Sequence, residues 1–218
     1  MINLFSDIIF VFEMVSKEES ILFSAERLFA EKGFDGTSTR EISKAADANI
    51  SLIAYYFGSK EKLLESIFEY RIKESLDFAL TLMLKEDLSA WQKLELLIDK
   101  FVDRVRRLKY FYLLVQREKL NLSNPAIIEI IRNYHKEFLK IYQTILKDGI
   151  KQGVLKTNYS LELIHFTISG TLFNSINALE LKKTTIDFTD KMEQKYYSDL
   201  KKHLKILLKH LLGYEGKI

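Results

Sequence analysis

The chain has 218 residues, with 33 Lys+Arg against 30 Asp+Glu, a net charge of +3, 47% hydrophobic and 29% charged residues. That balance excludes a disordered tail, a collagen-like fibre and a multi-span membrane protein. Cysteine is absent, so disulfides, thiolate catalysis and cysteine-ligated zinc are excluded, and eight glycines with one proline are too few for a chain of many short strands. An all-α fold is the expectation.

Residues 1–15 read as an N-terminal extension. Its apolar run, residues 8–12, lies between Asp7 and Glu13 and lacks both the pattern of a secretory signal and the length of a membrane span. Either it packs on the body or a partner, or the natural start is Met14. From Glu18 the spacing of Ile21, Leu22, Ala25, Leu28 and Phe29 is that of one helical face, closed by Gly33. Ser38 and Glu41 form a capping-box pair that opens a short helix, residues 38–46, and Asn49 caps a second, residues 49–57. Ile42, Ala45, Ile53 and Phe57 are expected inside this pair.

No glycine follows Gly58 until Gly149, so the middle of the chain reads as long helices. They are expected over residues 59–84, 90–108, 110–120 and, opened by Pro125, from there to about Gly149. A turn region over residues 149–157 follows, with Asn158 or Ser160 capping a helix to about Leu181 and a last helix ending near Leu212. The helix after Ser160 is apolar nearly all round and therefore needs burial on more than one side. Ile168, Leu172 and Ile176, with Tyr196, Leu200, Leu204 and Leu207 on the last helix, are read as a dimer interface; the alternative is an ordinary monomer core.

Two short helices joined by a tight turn are a helix-turn-helix candidate, whose second helix enters the DNA major groove. Asn49, Ser51 and Ala54 are expected at base edges, and Tyr55, Tyr56 and Lys60 at phosphates. Thr37, Thr39 and Arg40 complete the DNA-facing set at the start of the first helix. With Ile50 and Ala54 in place of long donors, contact with thymine methyl groups is expected as well. Residues 16–71 hold eight Lys/Arg and ten Asp/Glu, so any positive face must come from placement, with Arg40, Lys44, Lys60 and Lys62 on or beside the pair.

Gly33-Phe34-Asp35-Gly36-Thr37-Ser38, Ile42, Ala45-Ala46, Asn49 and Tyr55-Tyr56-Phe57-Gly58-Ser59-Lys60-Glu61-Lys62-Leu63-Leu64 together resemble the N-terminal domain of the TetR family of transcriptional regulators. Three positions depart from the common pattern: Asp47 stands where many members have glycine, Ile50 where many have a polar or basic residue, and Tyr56 where histidine is frequent. The resemblance implies an extension (residues 1–15), a helix-turn-helix domain (16–62) and a helical effector-binding and dimerisation domain (63–218). It further implies a cytoplasmic homodimer on a palindromic operator of double-stranded DNA, a repressor released by a small apolar or aromatic molecule. It places the effector pocket among the central helices, where Phe78, Phe101, Phe111, Phe138 and Tyr142 supply aromatic walls and Gln116 and His135 polar anchors. Neither metal nor other cofactor is expected. No nucleophile, metal or phosphate-loop motif surrounds His135, His165, His203 or His210, so an enzyme is not expected. The competing reading is a helical scaffold or small-molecule-binding protein without DNA binding.

Overall fold

The computed structural model of the protein describes residues 16–122 and 124–216. The apolar run of residues 8–12 and the alternative start at Met14 lie outside the described residues. Within them there are nine helices and no strand. In chain order they are α1 (Lys17–Lys32), α2 (Thr39–Ala45), α3 (Ser51–Phe57), α4 (Lys60–Met83), α5 (Ala90–Arg107), α6 (Lys109–Asn121), α7 (Pro125–Lys151), α8 (Leu161–Lys183) and α9 (Asp190–Leu211).

Most helix starts are written locally. Ser16 with Glu19, Ser38 with Glu41 and Ser89 with Gln92 make full capping boxes at α1, α2 and α5. Asn124 Oδ1 accepts the N–H groups of Ala126 and Ile127 at the start of α7, and Ser160 rather than Asn158 caps α8. Helix α7 runs two residues beyond Gly149. That glycine is buried inside the helix, and a Cβ there would collide with the Leu155 side chain, so it serves close packing and does not stop the helix.

The chain divides into two compact units, and α4 and α7 each contribute to both. One comprises the described residues up to Arg71 with Tyr110–Ile130; the other comprises Ile72–Lys109 and the chain from Ile131 onward. The first unit is built round Ile21, Phe29, Ile42, Leu63, Ile67 and Phe68, with Phe111 of α6 edge-on to Phe68 at 5.4 Å. In the second, α9 packs on both α5 and α8. Trp91, the single tryptophan, is buried under Tyr214 in a parallel stack at 4.2 Å.

Candidate nucleic-acid interface and effector region

Helices α2 and α3 have seven residues each, too short to persist unsupported, and α1 supplies the support. Ser20 donates its hydroxyl hydrogen bond to the Ala46 carbonyl at 3.0 Å, and the Lys17 ammonium donates to the Asp47 carbonyl at 2.7 Å. Asp47 turns the chain with φ 46°, a left-handed conformation that short polar side chains tolerate better than most. Inside the pair lie Ile42, Ile53 and Phe57 as expected, but Ala45 is exposed, and Ser43 and Ala46 are buried instead. Burial of Ser43 is tolerated because its hydroxyl donates to the Arg40 carbonyl at 3.0 Å.

Two of the expected DNA-facing residues turn inward. Thr37 is 1% exposed, and its hydroxyl donates to the carbonyls of Gly33 at 2.8 Å and Leu28 at 3.2 Å, so it closes the end of α1 and is withdrawn from the contact list. The Lys60 ammonium is half-buried, donating to the carbonyls of Phe34 at 3.0 Å and Thr37 at 3.1 Å over the Phe34 ring. Lys60 is a clip on the α1–α2 connection, with one donor left over. The rest of the set faces outward: Arg40, Asn49, Ser51, Ala54 and Tyr56 are exposed, Thr39 is half-exposed, and Tyr55 is 79% exposed with its ring edge-on to Tyr56 at 5.0 Å. Asn49 Oδ1 accepts both the N–H and the hydroxyl of Ser51 at 2.9 Å, but the N-cap of α3 is Ile50, which makes no side-chain capping bond, so Asn49 braces the turn just before the helix.

Sequence reasoning missed the contacts that hold this unit rigid. Glu26 on α1 and Arg71 on α4 form a buried ion pair at 2.7 and 3.3 Å, and Arg71 also lies 4.6 Å over the Phe23 ring. From α6, Arg117 donates to the Phe29 carbonyl at 3.2 Å beside Gly33, whose φ of 83° excludes most side chains. Next to it, Glu118 is buried with Oε2 unpartnered, and desolvation raises its pKa. These partners lie 45 and 88 residues apart, and no local pattern announces them.

Of the expected effector residues, Phe111 and Gln116 belong to the first unit, where the Phe111 ring meets those of Phe68 and Tyr112. In the second unit Phe138 lies 5.0 Å from Tyr142, and the His135 ring is 4.9 Å from His165 and stacked on Phe166 at 5.7 Å. Phe78 and Phe101 have other neighbours, the Lys100 ammonium and the Phe173 ring. Burial raises the hydroxyl pKa of both Tyr134 and Tyr142. A separate, mostly apolar depression of about 240 Å³ lies between the second-unit parts of α4 and α7, lined by Leu76, Leu80, Met83, Glu137, Lys140, Ile141 and Thr144.

The expected dimer residues also need correction. Ile168, Leu172, Leu200 and Leu204 are buried within the single chain, Leu172 at 0% exposure, where α9 packs on both α8 and α5. Ile176, Tyr196 and Leu207 are half-buried, and the Tyr196 hydroxyl donates to the Ser175 carbonyl at 2.7 Å. Left outside on α8 are Leu163, Phe166 and Leu181, with Gly170 facing open space, and on α9 Met192 and Ile206. Among the described residues no group of His, Asp and Glu side chains is arranged to hold a metal ion, and no helix is long and apolar enough to cross a membrane.

Residues 21–67 match the bacterial regulatory proteins of the tetR family, and residues 68–201 match the C-terminal region of YsiA-like proteins. The probable HTH-type transcriptional regulator YttP of Bacillus subtilis (strain 168) is 35% identical over 159 residues, covering 71% of this chain and 73% of that protein. The fatty acid metabolism regulator protein of the same organism is 28% identical over 160 residues, 73% and 81% of the two chains. The crystal structure of FadR from Bacillus subtilis in complex with stearoyl-CoA aligns with a TM-score of 0.68 at 25% identity, over 87% of this chain and 96% of that one. Ketosteroid regulator KstR2 of Mycobacterium tuberculosis shares the fold, with a TM-score of 0.70 at 18% identity over 90% and 95%. The chain belongs to the tetR family of bacterial regulatory proteins and is a DNA-binding transcriptional regulator.

Proposed function

We propose that the protein is a homodimeric cytoplasmic repressor that occupies a palindromic operator and leaves it when an apolar effector binds, a long-chain acyl derivative being the first ligand class to try. Thr39, Arg40, Asn49, Ser51, Ala54, Tyr55 and Tyr56 are the DNA-facing residues, with the remaining donor of Lys60 directed at a phosphate. Two copies of this surface on one two-fold axis require a two-fold operator. The dimer forms through the outer face of α8 and α9, Leu163, Phe166, Leu181, Met192 and Ile206, because their inner faces are already occupied.

The observation that carries the effector half is His135. Its Nε2 is buried without a hydrogen-bond partner, among the rings of His165, Phe166 and, through His165, Phe138. An apolar wall with one unsatisfied polar atom is the composition of a small-molecule site. An acyl chain suits the rings, and its carbonyl or carboxylate gives Nε2 a partner. The relatives support this class: one is a fatty acid metabolism regulator, and a structural neighbour was crystallised with stearoyl-CoA. Helix α4 begins two residues after the reading helix ends and runs on into the second unit, so an effector that favours a tilted α4 shifts the population away from the DNA-binding arrangement.

The test uses the full chain on a DNA fragment that it selects from its own genome. Stearoyl-CoA is expected to release the fragment, and His135→Ala is expected to raise the half-maximal concentration about tenfold or more, since it leaves a polar ligand group without a partner. Release by acyl thioesters with an unchanged midpoint in the variant removes His135 as the anchor. Absence of release by any chain length removes the ligand class.

A further inference from the structure

The outer surface of the reading helix is short of hydrogen-bonding groups. From Ile50 to Phe57 it carries no Lys, Arg, Gln, Asp or Glu. Of its polar residues, Asn49 and Ser51 are tied to each other, the Asn49 carbonyl oxygen being taken by the Ser51 N–H and hydroxyl. The Asn49 amide hydrogens and the acceptor lone pairs of Ser51 Oγ remain for a base edge there. Beside them Ile50 is 49% exposed, a β-branched hydrocarbon at the first residues of the helix, from which this type of motif contacts base edges. Ala54, one turn on, is also exposed, and its small side chain leaves room for a base to approach.

Ile50, immediately before α3, presents about half of its surface to water. Among the groups displayed in the major groove, the thymine 5-methyl is the apolar one. We propose that Ile50 reads a thymine in each half-site through its methyl group, and that this contact, instead of an Asn49 hydrogen bond, sets the base preference there. The assignment rests on the DNA-binding reading above and adds to it which base is recognised and by which atom. Arg40 and the tyrosines then supply position and affinity, and the methyl contact supplies discrimination.

The experiment takes the full-length protein, selects duplexes from a random library, and replaces each thymine of the selected half-site in turn by uracil, which removes only the methyl. At one position uracil is expected to weaken binding about fourfold per half-site, the transfer worth of one buried methyl group. Ile50→Ala is expected to lose a similar factor on the thymine duplex and to bind the uracil duplex equally well. Ile50→Val keeps one branch and is expected to retain part of the thymine preference, which guards against a folding defect in the alanine variant. Uracil without effect at every position overturns the inference while leaving the regulator intact. So does an Ile50→Ala protein that still distinguishes thymine from uracil as the wild type does. A library from which no common sequence emerges overturns this inference and the sequence-specific DNA-binding reading together.

Discussion

Helices α2 and α3 have seven residues each, whereas α8 and α9 have 23 and 22, and the two pairs are held by different forces. The short pair depends on directional polar contacts: the Ser38–Glu41 box, the Asn49–Ser51 bonds, and the Lys17, Ser20 and Lys60 clips on carbonyl groups. The long pair depends on apolar area and has more of it than one chain can cover, with Ile164, Ile168, Leu172 and Leu179 inside and Leu163, Phe166 and Leu181 outside. Polar clips hold a small reading surface in one geometry, which suits a part that must match DNA. A surplus apolar face suits a part completed by a second copy.

The largest expected effect tests how far the reading unit relies on the buried Glu26–Arg71 ion pair. Glu26→Ala leaves the Arg71 guanidinium buried without its carboxylate, a loss of about 3–5 kcal/mol by analogy with other broken buried pairs. Urea unfolding of the full chain checks it, with amide exchange showing whether residues 39–57 open first. A change below about 1 kcal/mol means that neighbours or water take over.

The second test separates the two faces of α8. Leu172→Ala is expected to cost about 2–5 kcal/mol in chain stability, as for other buried leucines. Phe166, 50% exposed, should behave oppositely: Phe166→Glu leaves the helical content unchanged and converts dimer to monomer in sedimentation. A stable dimer of Phe166→Glu would move the interface elsewhere.

Smaller effects probe the polar clips. Ser38→Ala removes the cap of α2 and is expected to cost about 1 kcal/mol, read from the urea midpoint and from weaker DNA binding. The other half of that box gives a pH dependence. Glu41 is lowered from 4.5 to about 2, first by its hydrogen bond from Lys32 and then by the Ser38 N–H and hydroxyl. Because folding favours the charged form, its contribution is whole above pH 4.5 and disappears as the pH falls toward 2. Glu41→Gln is expected to flatten the stability profile in that window by lowering stability at neutral pH while leaving it unchanged near pH 2.

The helices and their order were legible because their signals are local. A serine three residues before a glutamate, a proline after Asn124, and apolar residues at helical spacing act within a few residues of one another. The reading helix was legible for the same reason, down to the exposed Tyr55 and Tyr56. What escaped were contacts whose partners meet only when the chain closes. Thr37 and Lys60 look like DNA-facing residues in a sequence because both are polar and both flank the motif. Folding brings the carbonyls of Leu28, Gly33 and Phe34 within their reach, and a buried carbonyl needs a donor. Likewise the periodicity of α8 marks a helix apolar on several sides without saying which side meets α9 and which meets solvent. That choice is made by packing in three dimensions: with α9 packed on α8 and Ile168 and Leu172 buried, the face carrying Leu163 and Phe166 is the one left open.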